Sequence, residues 1–227
     1  MRGAALLLAL VVASGVFLVF PAIDLAVSAA FYDGTGFAVQ QIPMVEAVRL
    51  TLYAAEDLAA ALTLTMALVT AWRGHAVRRL TRNDWIFAFG VFALGPGLLV
   101  NGILKPMWGR ARPYLVTEFG GEMQFTPAWV FSDQCQADCS FVSGEMAGAV
   151  ALAVLLAMVA RTYAAVWLLV AAVPLFTAWQ RVAAGRHFLS DVVLSALMVA
   201  LIGVVLARQF APARPLASAV DIPRDSP

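Results

Sequence analysis

Three short segments carry residue types suited to holding and attacking a phosphate. The first holds Lys105, Arg112 and Pro113, the second Ser143, Gly144 and Glu145, and the third Arg181, His187 and Asp191. Lys105 is the only lysine; every other basic residue apart from the histidines is an arginine. An ammonium offers a compact point charge, and a guanidinium a planar fork that matches two phosphate oxygens. Ser143-Gly144 precedes an apolar run, and the N-terminus of a helix there would present unpaired N–H groups to an anion. His187 and Asp191 are four residues apart, a spacing that puts them on one helical face within hydrogen-bonding reach. A carboxylate on one ring nitrogen fixes the tautomer and leaves the other nitrogen free to attack. Each segment has a plainer reading alone: interfacial anchoring for the basic residues, an N-cap for Ser143, a structural role for a lone histidine. The combination favours phosphate chemistry.

These residues need elements that bring them to one place. The chain has 227 residues, 62% of them hydrophobic and 13% charged, too apolar for an ordinary soluble domain. Six stretches approach the roughly 18 to 20 apolar residues that cross a bilayer as a helix: about 4–22, 52–72, 85–104, 142–160, 164–184 and 188–207. The expected fold is therefore all-α, a six-helix transmembrane bundle forming one domain over 1–210, with a proline-rich, disordered tail at 211–227. Arg73, Arg78, Arg79 and Arg82 crowd one short loop, Arg161 lies in a second, and Arg2, Arg208 and Arg214 flank the ends. The positive-inside tendency puts all of these in the cytoplasm, with both termini. The three phosphate-suited segments then share the outward side. His75 falls in the cytoplasmic loop, leaving His187 as the outward histidine. Arg2, the first apolar run and Ser28-Ala29-Ala30 would also suit a cleaved signal peptide, but the run's length favours an uncleaved helix.

Other features lie around this frame. Glu56 and Asp57 stand inside the second apolar stretch, where ionisable groups face the bundle interior or a wet cavity. They read either as salt-bridge partners of a site arginine or as groups that order the site. Gly90, Gly95, Pro96 and Gly97 should loosen or kink the third helix, with Asn101 following just before Lys105. Cys135 and Cys139 share an outward loop, which favours a small disulfide over a two-ligand metal site or free thiols. Residues 31–50, with Phe31, Tyr32, Phe37, Ile42, Met44, Val45 and Val48, suit either the membrane surface or packing on the bundle.

The three segments resemble the type 2 phosphatidic acid phosphatase superfamily. Its patterns are Lys-x6-Arg-Pro, Pro-Ser-Gly-His and Ser-Arg-x5-His-x3-Asp. The chain keeps every spacing and departs at Val142 for proline, Glu145 for histidine and Gln180 for serine. The resemblance covers about 85–207 and implies that His187 attacks phosphorus to form a phosphohistidine, with Asp191 orienting it. It implies that Lys105, Arg112 and Arg181 cradle the phosphoryl oxygens, helped by Ser143 and the Gly144 amide, with neither metal nor other cofactor required. Glu145 falls where the family places the acid that protonates the leaving oxygen. It can serve as that catalytic acid, its charge offset by Lys105, Arg110, Arg112, Arg181 and Arg186, or be tied to one of these arginines and donate nothing.

A membrane lipid phosphatase on the outer face of a bacterial inner membrane is the expected function, with no nucleic-acid partner. Lipid A phosphates, undecaprenyl diphosphate, phosphatidylglycerol phosphate and phosphatidic acid are candidate substrates, and the Ser-Gly-Glu variant resembles the lipid A phosphatase side of the superfamily. A phosphotransferase using the same intermediate and a non-catalytic lipid-phosphate binder or transporter are the alternatives. The lipid, the phosphate position and the oligomeric state stay open.

Overall fold

Every regular element is a helix, and no sheet forms among the described residues, which in this computed structural model are 2–77, 80–159 and 164–210. Arg78, Arg79, Arg161, Arg214 and the tail at 211–227 lie outside them. Helix α1 spans Arg2–Val19 and α2 spans Ala22–Ala29, with the axis turning by 83° at the Phe20-Pro21 junction. Helix α3 runs Pro43–Arg73, opening on a proline at its first turn, where the missing N–H is no loss. Helix α4 covers Arg82–Phe92 and starts at a reciprocal cap between Thr81 and Asp84. It continues as a π-helical segment, Ala93–Leu104, into the short α5, Lys105–Trp108. Helices α6 (Gly144–Val159), α7 (Ala164–Ala183) and α8 (Leu189–Phe210) complete the fold.

Four of these runs are long and apolar enough to cross a membrane, and the bent α1–α2 pair makes a fifth if counted as one span; α6 is a shorter apolar helix. Leu8, Val11, Leu58, Leu68, Trp72, Leu168 and Leu175 point outward from the helices, an apolar coat suited to lipid rather than water. Gly3 lies against the Arg208 guanidinium, so the starts of α1 and the end of α8 share one end of the fold.

Helix α6 sits in the middle, packed against α3, α4, α7, α8 and the π-helical segment. Its Ala147, Gly148, Ala149, Ala151 and Ala153 are buried, and such small residues let helices approach closely where lipid supplies no hydrophobic drive between them. The expected kink near Pro96 takes the form of the π-helical segment. Pro96 lacks an N–H to donate, and the wider ladder absorbs that loss; such segments often mark functional sites.

Two boundaries differ from the sequence reading. Residues 22–29 are helical rather than loop, and α3 begins at Pro43 rather than near 52. The extra turns of α3 carry Glu46 and Arg49, whose charges hide the helix from a search for apolar runs. The 31–50 region is split: Phe31, Tyr32 and Phe37 pack with Val116, Phe119 and Phe188, while Ile42, Met44 and Val48 are exposed.

Candidate active site

The turn between α7 and α8 delivers His187, and α5 with the loop after it delivers Lys105 and Arg112. These side chains meet Arg181, Gly144 and Glu145 in the wall of a cavity of about 820 Å³. His187 is 1% exposed, and its Nδ1 lies 2.8 Å from the carbonyl oxygen of Ser140. A carbonyl can only accept, so Nδ1 carries the proton and Nε2 keeps its lone pair. Burial, reinforced by Arg181 and Arg112 and only partly opposed by Asp191, pushes the imidazole down to about 3. The ring is neutral at any ordinary pH, the form a nucleophile needs.

The expected hydrogen bond from His187 to Asp191 is not made. Their closest approach is 3.8 Å, because the oxygens of Asp191 are already engaged. Oδ2 accepts from the Ser140 hydroxyl at 2.6 Å and the Phe188 amide at 2.9 Å, and Oδ1 from Arg110 Nη1 at 2.6 Å. Asp191 thus acts one step removed: it fixes Ser140, whose carbonyl fixes the ring. Asp191 is buried and outside the cavity wall.

Arg110 completes this framework, and the reading of it as a cavity cation is corrected. It is fully buried, donates to Asp24 Oδ2 at 2.9 Å as well as to Asp191, and bonds the Thr126 carbonyl through Nε at 2.8 Å. Its guanidinium also lies 4.3 Å from the Phe188 ring centre, a cation–π contact. Asp24, on α2, further holds the Ser190 amide at 2.8 Å and hydroxyl at 2.6 Å. The bend after α1 is what brings this carboxylate under the site.

On the open side, Arg112 contacts Asp138 twice, Nε to the backbone carbonyl at 2.8 Å and Nη2 to Oδ1 at 2.6 Å, and Lys105 Nζ reaches the same Oδ1 at 3.2 Å. Burial raises the Asp138 carboxyl, but Arg112 and Lys105 outweigh it and hold the group below the usual carboxylate range. Asp138 is presented by the Cys135–Cys139 disulfide loop, the pairing expected from the sequence.

Ser143 does not line the cavity. It is buried, its hydroxyl accepts from the Met146 amide at 3.3 Å, and its carbonyl accepts from Ser195 at 2.7 Å. Its role is to cap α6, which leaves the first amides of that helix at the cavity. Gly144 does line it, and a Cβ there would stand 2.9 Å from Asn101 Oδ1, so glycine keeps the approach open. Arg181 is buried, and its Nε has no partner among the described residues, which leaves a donor for a ligand oxygen.

Glu145 contacts Arg181, one of the arginines named for it, and also Arg49. Oε1 receives Arg49 Nη1 at 2.8 Å and Oε2 receives Arg181 Nη1 at 3.2 Å. Arg49 also holds Glu46 through two bonds, at 2.6 and 2.9 Å. Guanidinium groups only donate, so in this arrangement both Glu145 oxygens serve as acceptors, and the residue stands as a charge partner of Arg49 and Arg181. Glu56 and Asp57 make no salt bridge among the described residues, contrary to one reading of them, although both line the cavity.

The profile of the PAP2 superfamily matches residues 84–215, more than half of the chain. The chain is 34% identical over 195 residues to a lipid A 4'-phosphatase of Rhizobium leguminosarum, covering 79% of this chain and 83% of that protein. It is 35% identical to the lipid A 4'-phosphatase of Rhizobium etli, covering 79% and 76% of the two chains. A lipid A 4'-phosphatase of Francisella tularensis subsp. novicida is 37% identical over 47% of this chain and 49% of its own. The chain belongs to the PAP2 superfamily. No solved structure matches it significantly. The resemblance carried by the three segments is thus borne out, and this PAP2 protein gathers Lys105, Arg112, Gly144, Arg181 and His187 in one cavity wall. Arg49, Asp24, Ser140 and Asp138 are the contributors that the spacing patterns did not reveal, and Arg110, expected among the cavity cations, belongs to the buried framework instead.

Proposed function

We propose that the protein is an integral-membrane lipid phosphatase of a bacterial inner membrane, removing phosphate from a lipid phosphomonoester of the lipid A type. The observation that carries this reading is His187, its Nδ1 engaged by the Ser140 carbonyl, in one cavity wall with Lys105, Arg112 and Arg181. Nε2 attacks phosphorus, and the bond to the lipid oxygen breaks to leave a phosphohistidine. Water then attacks phosphorus, breaks the P–N bond and releases inorganic phosphate. Lys105, Arg112, Arg181 and the Gly144 amide stabilise the equatorial oxygens as charge builds, so no metal is invoked. Ser143 aims the α6 terminus, and Asp191 holds the ring through Ser140.

The apolar coat and the similarity to lipid A 4'-phosphatases support a lipid substrate. We read α1 with α2 as one span and α6 as another, giving six spans and a single domain over 1–210. Arg73 and Arg82, at the end of this fold opposite His187, favour a cytoplasmic placement of that end by the positive-inside tendency and a periplasmic cavity.

The test is phosphate release by purified protein from lipid A, phosphatidic acid, phosphatidylglycerol phosphate and undecaprenyl diphosphate, with and without chelator. Release from lipid A, unaffected by chelator and abolished in His187→Ala, is expected. Transfer of the phosphate to another lipid without release would replace hydrolysis by phosphotransfer.

A further inference from the structure

We propose that Glu56 is the proton donor to the leaving lipid oxygen, a proposal that rests on the phosphatase reading above. The site needs a group able to give a proton, and most carboxyls around the cavity are engaged. Glu46 is held by Arg49, Asp138 by Lys105 and Arg112, and Glu145 by Arg49 and Arg181. Glu56 and Asp57 have no hydrogen-bond or ion-pair partner among the described residues; Glu56 is 7% exposed, whereas Asp57 is exposed. An unpaired carboxyl buried at membrane depth marks a functional group by default.

Its seat is built. The Glu56 carboxyl rests on Gly148 of α6, where any Cβ would overlap it. Gly148 follows Gly144 by one helical turn, so the carboxyl stands one turn deeper than the free end of α6. Beyond it the cavity wall turns apolar, with Ala60 on the next turn of α3 and Phe89, Phe92 and Ala93 from the facing helix. A lipid phosphate whose phosphoryl group lies among the cations, and whose body follows the apolar wall, places its bridging oxygen at this boundary. Glu56 borders it.

The step balances. His187 Nε2 bonds to phosphorus, the bond from phosphorus to the lipid oxygen breaks, and that oxygen takes the Glu56 proton to leave as an alcohol. The Glu56 carboxylate then accepts a proton from the water that cleaves the phosphohistidine, and the acid is restored.

The experiment compares a lipid A 4'-phosphate with its analogue in which sulfur replaces the bridging oxygen, since a thiolate leaves without a proton. Glu56→Gln is expected to slow the oxygen substrate by about 10²- to 10⁴-fold and the sulfur substrate by only a few fold, with Glu56→Asp recovering part of the loss. Glu145→Gln is expected to affect both substrates alike. Equal losses on the two substrates in Glu56→Gln, or no loss on the oxygen substrate, overturns the proposal. The oxygen–sulfur contrast appearing in Glu145→Gln instead returns the acid role to that residue. Wild-type protein inert toward the oxygen substrate fails the phosphatase reading itself, and this proposal with it.

Discussion

Two arginine–carboxylate networks flank His187, and they differ in what surrounds them. Behind the ring, Arg110 joins Asp24 and Asp191, with all three side chains fully buried. In the cavity wall, Arg49 and Arg181 share Glu145, whose side chain is 17% exposed, and Arg112 and Lys105 share Asp138, which is 73% exposed. The enclosed network has no route to solvent or ligand, so its charges fix geometry: α2, the loop after α5 and α8 are held in one register. The open one consists of cations whose present partners are carboxylates, the same chemistry as a phosphoryl oxygen. A substrate phosphate bound there, as proposed, would exchange one anionic partner for another instead of meeting bare charge.

The largest expected contrast comes from removing the central cation of the enclosed network. Arg110→Ala leaves Asp24 and Asp191 buried and unpaired, a loss of about 3 to 5 kcal/mol. Thermal denaturation in detergent should show a marked fall in midpoint, and a midpoint near wild type would mean that the enclosed network does not hold the fold. Asp138→Asn in the open network should leave the midpoint nearly unchanged. It should instead lower KM for the lipid substrate up to about fivefold, since an exposed ion pair is worth 0.2 to 1 kcal/mol. An unchanged or raised KM would show that Asp138 does not compete for Lys105 and Arg112.

The smallest effect expected is an absence of titration. His187 has its affinity for a proton depressed from 6.5 to about 3 by burial, so it binds its second proton only near the lower value. Imidazole nitrogen NMR should show a neutral, Nδ1-protonated ring from pH 8 to 5, while a midpoint near 6.5 would show that the ring is open to water. Because an unfolded chain would take up that proton between those two pKa values, this residue's contribution to stability rises with pH across that window.

The parts of the site that the sequence made legible are those within fixed short spacings. Lys105 with Arg112, and Arg181 with His187 and Asp191, sit on one turn or at one helix end, where local geometry decides who is near whom. The direct His187–Asp191 bond was a local inference too, and it failed because Asp191 is claimed by distant partners. Asp24 reaches Ser190 across 166 positions and Arg49 reaches Glu145 across 96. No periodicity encodes such contacts. Helix content was equally readable from apolar runs, but the bend at Pro21 and the polar start of α3 were not. At those places Asp24 is buried against Arg110 and Ser190, and Glu46 and Arg49 line the cavity, so charged residues interrupt the apolar signal. Glu145 shows the same limit: a carboxylate beside the cradle could be acid or ion-pair partner, and the arginine that completes its clamp comes from another helix.

In the proposed mechanism His187 carries the phosphoryl group, aimed by Ser140 and the enclosed network while the open cations receive the oxygens. Rapid quenching during turnover of lipid labelled with ³²P, followed by peptide mapping, tests it most directly. Acid-labile, alkali-stable label on His187, absent in His187→Ala, is the expected result. Label on another residue, or phosphate released at full rate without any labelled protein in single-turnover conditions, would contradict it.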